Sequence, residues 1–444
     1  MRGWPSSIMT ALAFVLALST APLPAGATKV ERVLSPGGIE SWLVRDHLNP
    51  IINVRFSFRG GSALDPTGKE GLATFVSSLL DEGAGDLDTN AFRKIVEDLS
   101  ISLRFNASRD RFSGRLQTLT EHRDMAFDLL TKAMTQPRFD PEPVGRLRAQ
   151  ILAKLRHDEE NPDAIAGRAL MDSLFPGHPY GRPSDGTKES VAKLTVADLR
   201  RFVADRLALD TLVIGVTGDI TPEELAPLLD KTFGTLPKKA ASWKIPDASP
   251  RTEGQIVVID KTIGQSNILF ADIGMKRDDP DFYVAYVMNH ILGGGGFTSK
   301  LYQEVREKRG LAYSVYSYLH PMDAAALYLG GAGTANARVA ETLKVVREQW
   351  RKMAETGVSA EELDHAKRFL IGSFPLRFTS SDRIASILVG MQIDDLGQDY
   401  LDRRNGFIAK VTVDDIRRVA RKLLHPKRLV FVIVGQPTGV TATE

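Results

Sequence analysis

The chain contains its own copy. Shifting LTVADLRRFVADRLALDTLVIGVTGDI, residues 194–220, by 217 positions lays it without a gap on VTVDDIRRVARKLLHPKRLVFVIVG, residues 411–435. Thr195 falls on Thr412, Asp198 on Asp415, Arg200 and Arg201 on Arg417 and Arg418, and Gly218 on Gly435. A shift of 219 lays residues 139–152 over 358–371. Each copy must build an equivalent supersecondary unit, so a repeat at fixed offset constrains the fold more than any local propensity does. It divides the chain into two similar halves of ordinary domain size. Residues 234–254, rich in Pro, Lys, Ser and Ala and without hydrophobic periodicity, read as the linker between residues 28–233 and residues 255–444.

Period-two alternation places first-half strands at 39–44, 52–58, 101–107 and 111–117, with Val54, Phe56 and Phe58 on one face. Helical periodicity covers 70–80, 90–99, 121–135, 141–160 and 162–174. Thr195 is an N-cap ahead of the apolar face of Leu199, Phe202 and Val203, and a buried strand follows at 212–216. The second half repeats the plan, with strands at 255–260, 267–273, 311–319 and 325–331. Its helices fall at 280–292 and 298–308, then from 337, from 359 and near 381. Val339, Leu343, Val346, Trp350 and Met353 recur at helical spacing, which assigns Trp350 to the core. Paired strands with helices segregated between them predict an α+β protein of two similar domains, each a mainly antiparallel sheet covered by helices.

Composition excludes some functions. A formal net charge of +2 lacks the basic excess of a nucleic-acid-binding protein. The absence of cysteine excludes disulfides and thiolate zinc sites. Residues 8–18 form an apolar run behind Arg2 and ahead of Ala25-Gly26-Ala27. That run is too short to span a bilayer and predicts a secretory signal peptide over residues 1–27. No later segment reaches transmembrane length, so the expectation is an exported protein, in a bacterial periplasm, with no membrane partner.

Residues 292–318 are the most unusual stretch: four consecutive glycines, a charged helix, a turn at Gly310 and a tyrosine-rich strand. The spacing is not that of a phosphate-binding loop. One glycine ends a helix, and four leave open either a functional loop or a capped flexible turn. Taken as residues alone, Arg306 belongs to a charged run that reads as solvated surface. Tyr313, beside Tyr316 and Tyr318, reads as half-buried strand packing. No two of the eight histidines lie three or four apart, so none makes a helical metal clamp.

Three segments together resemble a known family: RGGSALDPTGKEGLATFVSSLLDEG at 59–83, EENP at 159–162 and LGGGGFTSKLYQEVREKRGLAYSV at 292–315. They resemble the M16 (pitrilysin, or inverzincin) zinc metallopeptidases, in the two-domain M16B form of mitochondrial processing peptidase. The resemblance covers nearly all of the chain after residue 27 and implies the LuxS/MPP-like metallohydrolase fold. Active members carry His-x-x-Glu-His after Gly-Leu-Ala, with a distal glutamate. Two imidazoles one helical turn apart hold Zn²⁺, and the glutamate between them takes a proton from metal-bound water. Here Gly71-Leu72-Ala73 is followed by Thr74-Phe75-Val76-Ser77-Ser78. The histidine positions are therefore Thr74 and Ser78, the base position is Ser77, and the distal ligand position is Lys154. An ammonium adds positive charge where a cation would sit, so no catalytic zinc is expected in this chain. The segment then reads as an amphipathic helix, with Leu72, Phe75 and Leu79 in the core and its polar residues facing a cavity.

In this family the second domain carries an Arg/Tyr pair in R-E-K-R-G-L-A-Y, matched here by Arg306 and Tyr313. The pair binds the peptide backbone and stabilises the tetrahedral oxyanion, work suited to two preorganised donors. In heterodimeric members one subunit holds the zinc and the other supplies the glycine-rich loop. The resemblance thus implies the non-catalytic subunit of an exported M16B zinc endopeptidase. Arg306, Tyr313 and the loop of Gly293, Gly294, Gly295 and Gly296 would act on peptide substrates in the site of a partner subunit. That partner would carry His-x-x-Glu-His and the Zn²⁺. The alternative is a catalytically silent scaffold, like the core subunits of the respiratory bc1 complex.

Overall fold

The computed structural model describes residues 29–443, so the signal-peptide expectation lies outside the described residues. Eleven strands appear there: β1 Glu31–Leu34, β2 Glu40–Arg45, β3 Ile51–Arg59, β4 Ser102–Ala107, β5 Arg111–Leu119 and β6 Leu212–Gly218 in the first half, then β7 Ile256–Asp260, β8 Gln265–Ile273, β9 Ala312–Pro321, β10 Ala326–Ala335 and β11 Val430–Gly435. They form two sheets, ordered β1-β2-β6-β3-β5-β4 and β7-β11-β8-β10-β9. With β1 set aside the orders are identical, and in each sheet one parallel pair, β2/β6 or β7/β11, joins otherwise antiparallel strands. The chain is α+β, built from two copies of one plan.

Local chemistry repeats with the topology. Thr195 accepts the N–H of Asp198, whose carboxylate accepts the Thr195 N–H, and Thr412 and Asp415 make the same reciprocal cap. Phe56 lies over Gly114 on the neighbouring strand, and Phe270 lies over Gly330 in the same way. Only a position without a side chain admits a ring there. Each sheet packs one face on its own helices. The first core holds Leu72, Phe75 and Leu79 with Phe56, Phe58 and Phe112. In the second, Trp350 is fully buried between the rings of Phe270 and Tyr328.

The opposite face of each sheet is covered by a helix from the other half. Pro162–Leu174 packs on β8 and β11, and Ser381–Ile393 packs on β2, β3 and β6. These two helices are themselves repeats, related by the 219-residue shift. Their first-turn acids reach the foreign sheet: Asp163 accepts from Asn267, and Asp382 receives Arg55 through bonds of 2.7 and 2.5 Å. Beneath them the packing differs. Gly215 of β6 leaves room for Leu388, whose Cβ would stand 2.9 Å from a Cβ at that glycine. The equivalent of Gly215 is Val432, and the equivalent of Leu388 is Ala169. The sizes at the two equivalent positions are thus exchanged between the halves.

Residues 234–254 carry no helix or strand, but they are tied along their length. Ala241 N–H donates to Asp205 at 2.9 Å, Ala248 N–H to Ala324 at 2.8 Å, and Arg251 N–H to Leu174 at 2.8 Å.

Candidate functional site

The helix on which the resemblance places the zinc-motif positions runs from Leu72 to Ser77, shorter than the expected 70–80. Gly71 starts it with φ +89°, and a Cβ there would stand 2.6 Å from the Asp185 carbonyl. Asp65 caps it, accepting the N–H of Gly71 at 2.9 Å and of Ala73 at 3.1 Å. Burial pushes the Asp65 carboxyl up to about 7 against those two bonds and nearby Arg182.

The hydroxyls at the motif positions donate to main-chain carbonyls. Thr74 donates to Ser184 at 3.1 Å, Ser77 to Thr74 at 2.8 Å and Ser78 to Phe75 at 2.8 Å. Ser77 and Ser78 line a cleft of about 450 Å³ between this helix, the Thr89–Asp98 helix and edge strand β4. Lys154 lies on a different cavity, about 630 Å³, between the halves, which Tyr316, Tyr318 and His320 line from the second. Its ammonium bridges Asp158 at 2.7 Å and Asp185 at 2.6 Å. Burial lowers its pKa, but the bonds to the two carboxylates outweigh that and hold it raised. Two neutral hydroxyls and a paired ammonium do not make a zinc ligand set. Among the described residues no group of three or more His, Asp or Glu side chains is placed to hold a metal ion.

The second-half stretch differs from a plain loop and helix. The Phe282–Asn289 helix widens into a π turn over His290–Gly294, and a second π turn spans Tyr302–Glu307 where a regular helix is expected. Most of the glycines answer to internal packing. A Cβ on Gly293 would stand 2.8 Å from the Ser317 nitrogen, one on Gly294 2.6 Å from Asn289 Nδ2, and one on Gly295 2.6 Å from the His290 carbonyl. Gly296 takes φ +58° with open space around it. What approaches the run is thus strand β9 and the helix end itself, joined by a 2.8 Å bond from the Ser317 hydroxyl to Asn289.

The charged run resolves into two kinds of cation. Lys308 and Arg309 both pair with Glu304 at 2.6 Å. Arg306 pairs with no carboxylate among the described residues, and its guanidinium lies between two rings, 4.8 Å from the centre of Tyr302 and 5.0 Å from that of Tyr313. Tyr313 is 78% exposed on edge strand β9, whereas Tyr302 is buried and its hydroxyl has no hydrogen-bond partner among the described residues. The structure therefore brings Arg306 and Tyr313 together and adds Tyr302. The signal for Tyr302 was present in the sequence, because it stands four residues before Arg306 on one helical face. Exposed Phe297 packs edge-on against Tyr302 at 4.9 Å and joins the glycine run to the cluster.

Residues 42–188 match the family model described as insulinase (peptidase family M16), and residues 193–370 match the one described as peptidase M16 inactive domain. A Helicobacter pylori protein described as the non-peptidase homolog YmxG is 30% identical over 75% of this chain and 77% of its own length. An uncharacterized zinc protease of Streptomyces coelicolor is 27% identical over 92% and 90%. The crystal structure of a peptidase M16 inactive domain from Pseudomonas fluorescens superposes with a TM-score of 0.87 at 30% identity, covering 94% of this chain and all of that one. With two sheets of one topology and a motif helix of the M16 kind, the chain belongs to peptidase family M16.

Proposed function

We propose that this chain is the zinc-free subunit of an exported M16B endopeptidase, paired with a subunit that carries His-x-x-Glu-His. The partner supplies the metal, its ligands and the general base. This chain supplies Arg306, Tyr313 and the glycine-rich run at residues 293–296, which hold an extended peptide and stabilise the oxyanion as hydrolysis proceeds. The observation that carries the reading is the contrast between the two sites. At the motif positions the hydroxyls and the ammonium are bonded to protein groups. At Arg306 a guanidinium is fixed between two aromatic faces, and among the described residues no carboxylate pairs with it. The Helicobacter relative's description as a non-peptidase supports the first part.

The test is peptide hydrolysis by the purified chain alone and mixed with a His-x-x-Glu-His homologue, with and without chelator. Activity is expected only in the mixture, and chelator abolishes it. Arg306→Ala lowers kcat by about 10²-fold, the scale of one lost oxyanion donor, and leaves the complex intact on size exclusion. Activity of the isolated chain overturns the assignment. A mixture that associates but never gains chelator-sensitive activity assigns the chain to the scaffold class instead.

A further inference from the structure

The 630 Å³ cavity between the halves is built on the outer face of the second sheet, where that face runs on past the Pro162–Leu174 helix packed on β8 and β11. Leu269, Gly331 and Tyr316 stand in one row across β8, β10 and β9, and Ala271, Leu329 and Tyr318 form the next row on the same face. The equivalent rows of the first sheet are Arg55, Arg115 and Arg104, then Ser57, Ser113 and Asn106. The shared topology therefore does not require rings here. A Cβ on Gly331 would stand 3.1 Å from Tyr316 Cζ, so that phenol lies across β10 in the space a side chain would fill. The Tyr316 and Tyr318 rings are 6.2 Å and 20° apart, and both are partly open to solvent.

The first half walls the cavity with cations. The Pro162–Leu174 helix turns Ala164, Gly167, Arg168 and Met171 to it, one face at helical spacing. A Cβ on Gly167 would meet nothing within 4 Å, so the cavity is open at that turn. Lys154 is neutralised by Asp158 and Asp185, and Asp163 accepts from Asn267. Arg182 donates to the Asp65 and Ala63 carbonyls at 2.9 and 2.8 Å, and its buried Nε has no partner among the described residues. Arg109 donates from Nε to the Tyr180 carbonyl at 3.0 Å, and burial lowers its pKa against the fields of Asp110 and Asp185. Among the described residues no carboxylate pairs with Arg109 or Arg168. A guanidinium keeps its proton in a protein, so one held away from bulk water calls for an anion.

We propose that this cavity binds a small aromatic organic acid, its ring against Tyr316 and Tyr318 and its carboxylate taken by Arg168 and Arg109. A phenol face favours a second flat ring in offset contact. A guanidinium fork matches the two oxygens of a carboxylate. The three aspartates on the same walls repel a dianion more than a monoanion, which selects a carboxylate over a phosphate. The volume lies within the range of small-molecule sites, roughly 300–1,000 Å³. The site needs neither a partner subunit nor a peptide, so it goes beyond the subunit reading and stands or falls apart from it.

The test is isothermal titration calorimetry of the full chain at low salt with three probes: naphthalene-2-carboxylate, naphthalene-2-carboxamide and decahydronaphthalene-2-carboxylate. The aromatic acid should bind about tenfold more tightly than its amide, the effect of one charge-assisted contact. It should bind about fivefold more tightly than the saturated acid, the effect of one ring pair. Arg168 is exposed on its helix, so Arg168→Gln should leave the fold intact by circular dichroism, leave the amide's affinity unchanged and remove the preference for the acid. Tyr318→Leu should reduce the preference for the flat ring and keep that for the charge. No binding of the aromatic acid, equal binding of acid and amide, or a preference for the acid that survives Arg168→Gln overturns the proposal and leaves the subunit reading untouched.

Discussion

Asp65 is a single carboxylate on which the start of the motif helix depends. It is 2% exposed, its two oxygens cap that helix, and burial raises its pKa to about 7. An unfolded aspartate titrates near 3.9, so between about pH 4 and 7 the folded state holds the extra proton. The stability this contributes is complete below pH 4 and is lost as pH rises through 7. Three units correspond to roughly 4 kcal/mol at the upper limit. His290 and His320, both lowered by burial, act in the opposite sense in the same window. The useful measurement is therefore a difference. Urea midpoints of the wild type and Asp65→Asn should converge from pH 5 to pH 8, because Asn cannot ionise. A gap independent of pH would show that Asp65 keeps an ordinary pKa. At this scale the sequence was legible in part. That the resemblance puts Thr74, Ser78, Ser77 and Lys154 where it expects two histidines and two glutamates could be read by counting. That Lys154 would find two carboxylates, or that Arg306 alone would escape the ion pairs of its own run, depends on distances no spacing encodes.

Among the elements, the exchanged helices make the sharpest claim. Gly215→Val should push Ser381–Ile393 off β6, because its Cβ would meet the Ala385 carbonyl at 2.5 Å and the Leu388 Cβ at 2.9 Å. Overpacking of this kind costs about 1–3 kcal/mol. Leu388→Ala keeps both the Cβ at position 388 and the Ala385 carbonyl, so adding it to Gly215→Val should leave most of that loss in place. Leu388→Ala alone, which opens a cavity, should be destabilising by about 2–5 kcal/mol. Chemical denaturation of the four proteins gives the coupling term, and full recovery of stability in the double variant would disprove the packing described. The helix Pro162–Leu174 is foreseen from the pattern to the residue, as is the plan of strand pairs. That it lies on the other half's sheet is not, because the period of a helix names its apolar face but not the surface it meets. Three helices go unmarked for local reasons. Pro222–Phe233 carries Pro227 in its interior, Tyr400–Lys410 has Gly406 and few buried residues, and Lys188–Lys193 is under two turns long. The π turn at Tyr302–Glu307 is hidden because π and α hydrogen bonding leave nearly the same apolar spacing over six residues.

For the molecule as a whole, the two halves are held together by more than the segment between them. Arg111 binds Asp323 at 2.5 and 2.7 Å, and the Tyr180 hydroxyl donates to Asp110 at 2.5 Å while accepting the Ala324 N–H at 2.9 Å. Proteolytic cleavage within residues 234–254 should therefore leave two fragments that elute as one species on size exclusion, and separation without denaturant would contradict this. Each half's helix covers the other half's sheet, so a half alone leaves one sheet face bare. When two whole chains meet at high concentration, the first half of one can trade places with the first half of the other and remake every contact between the halves.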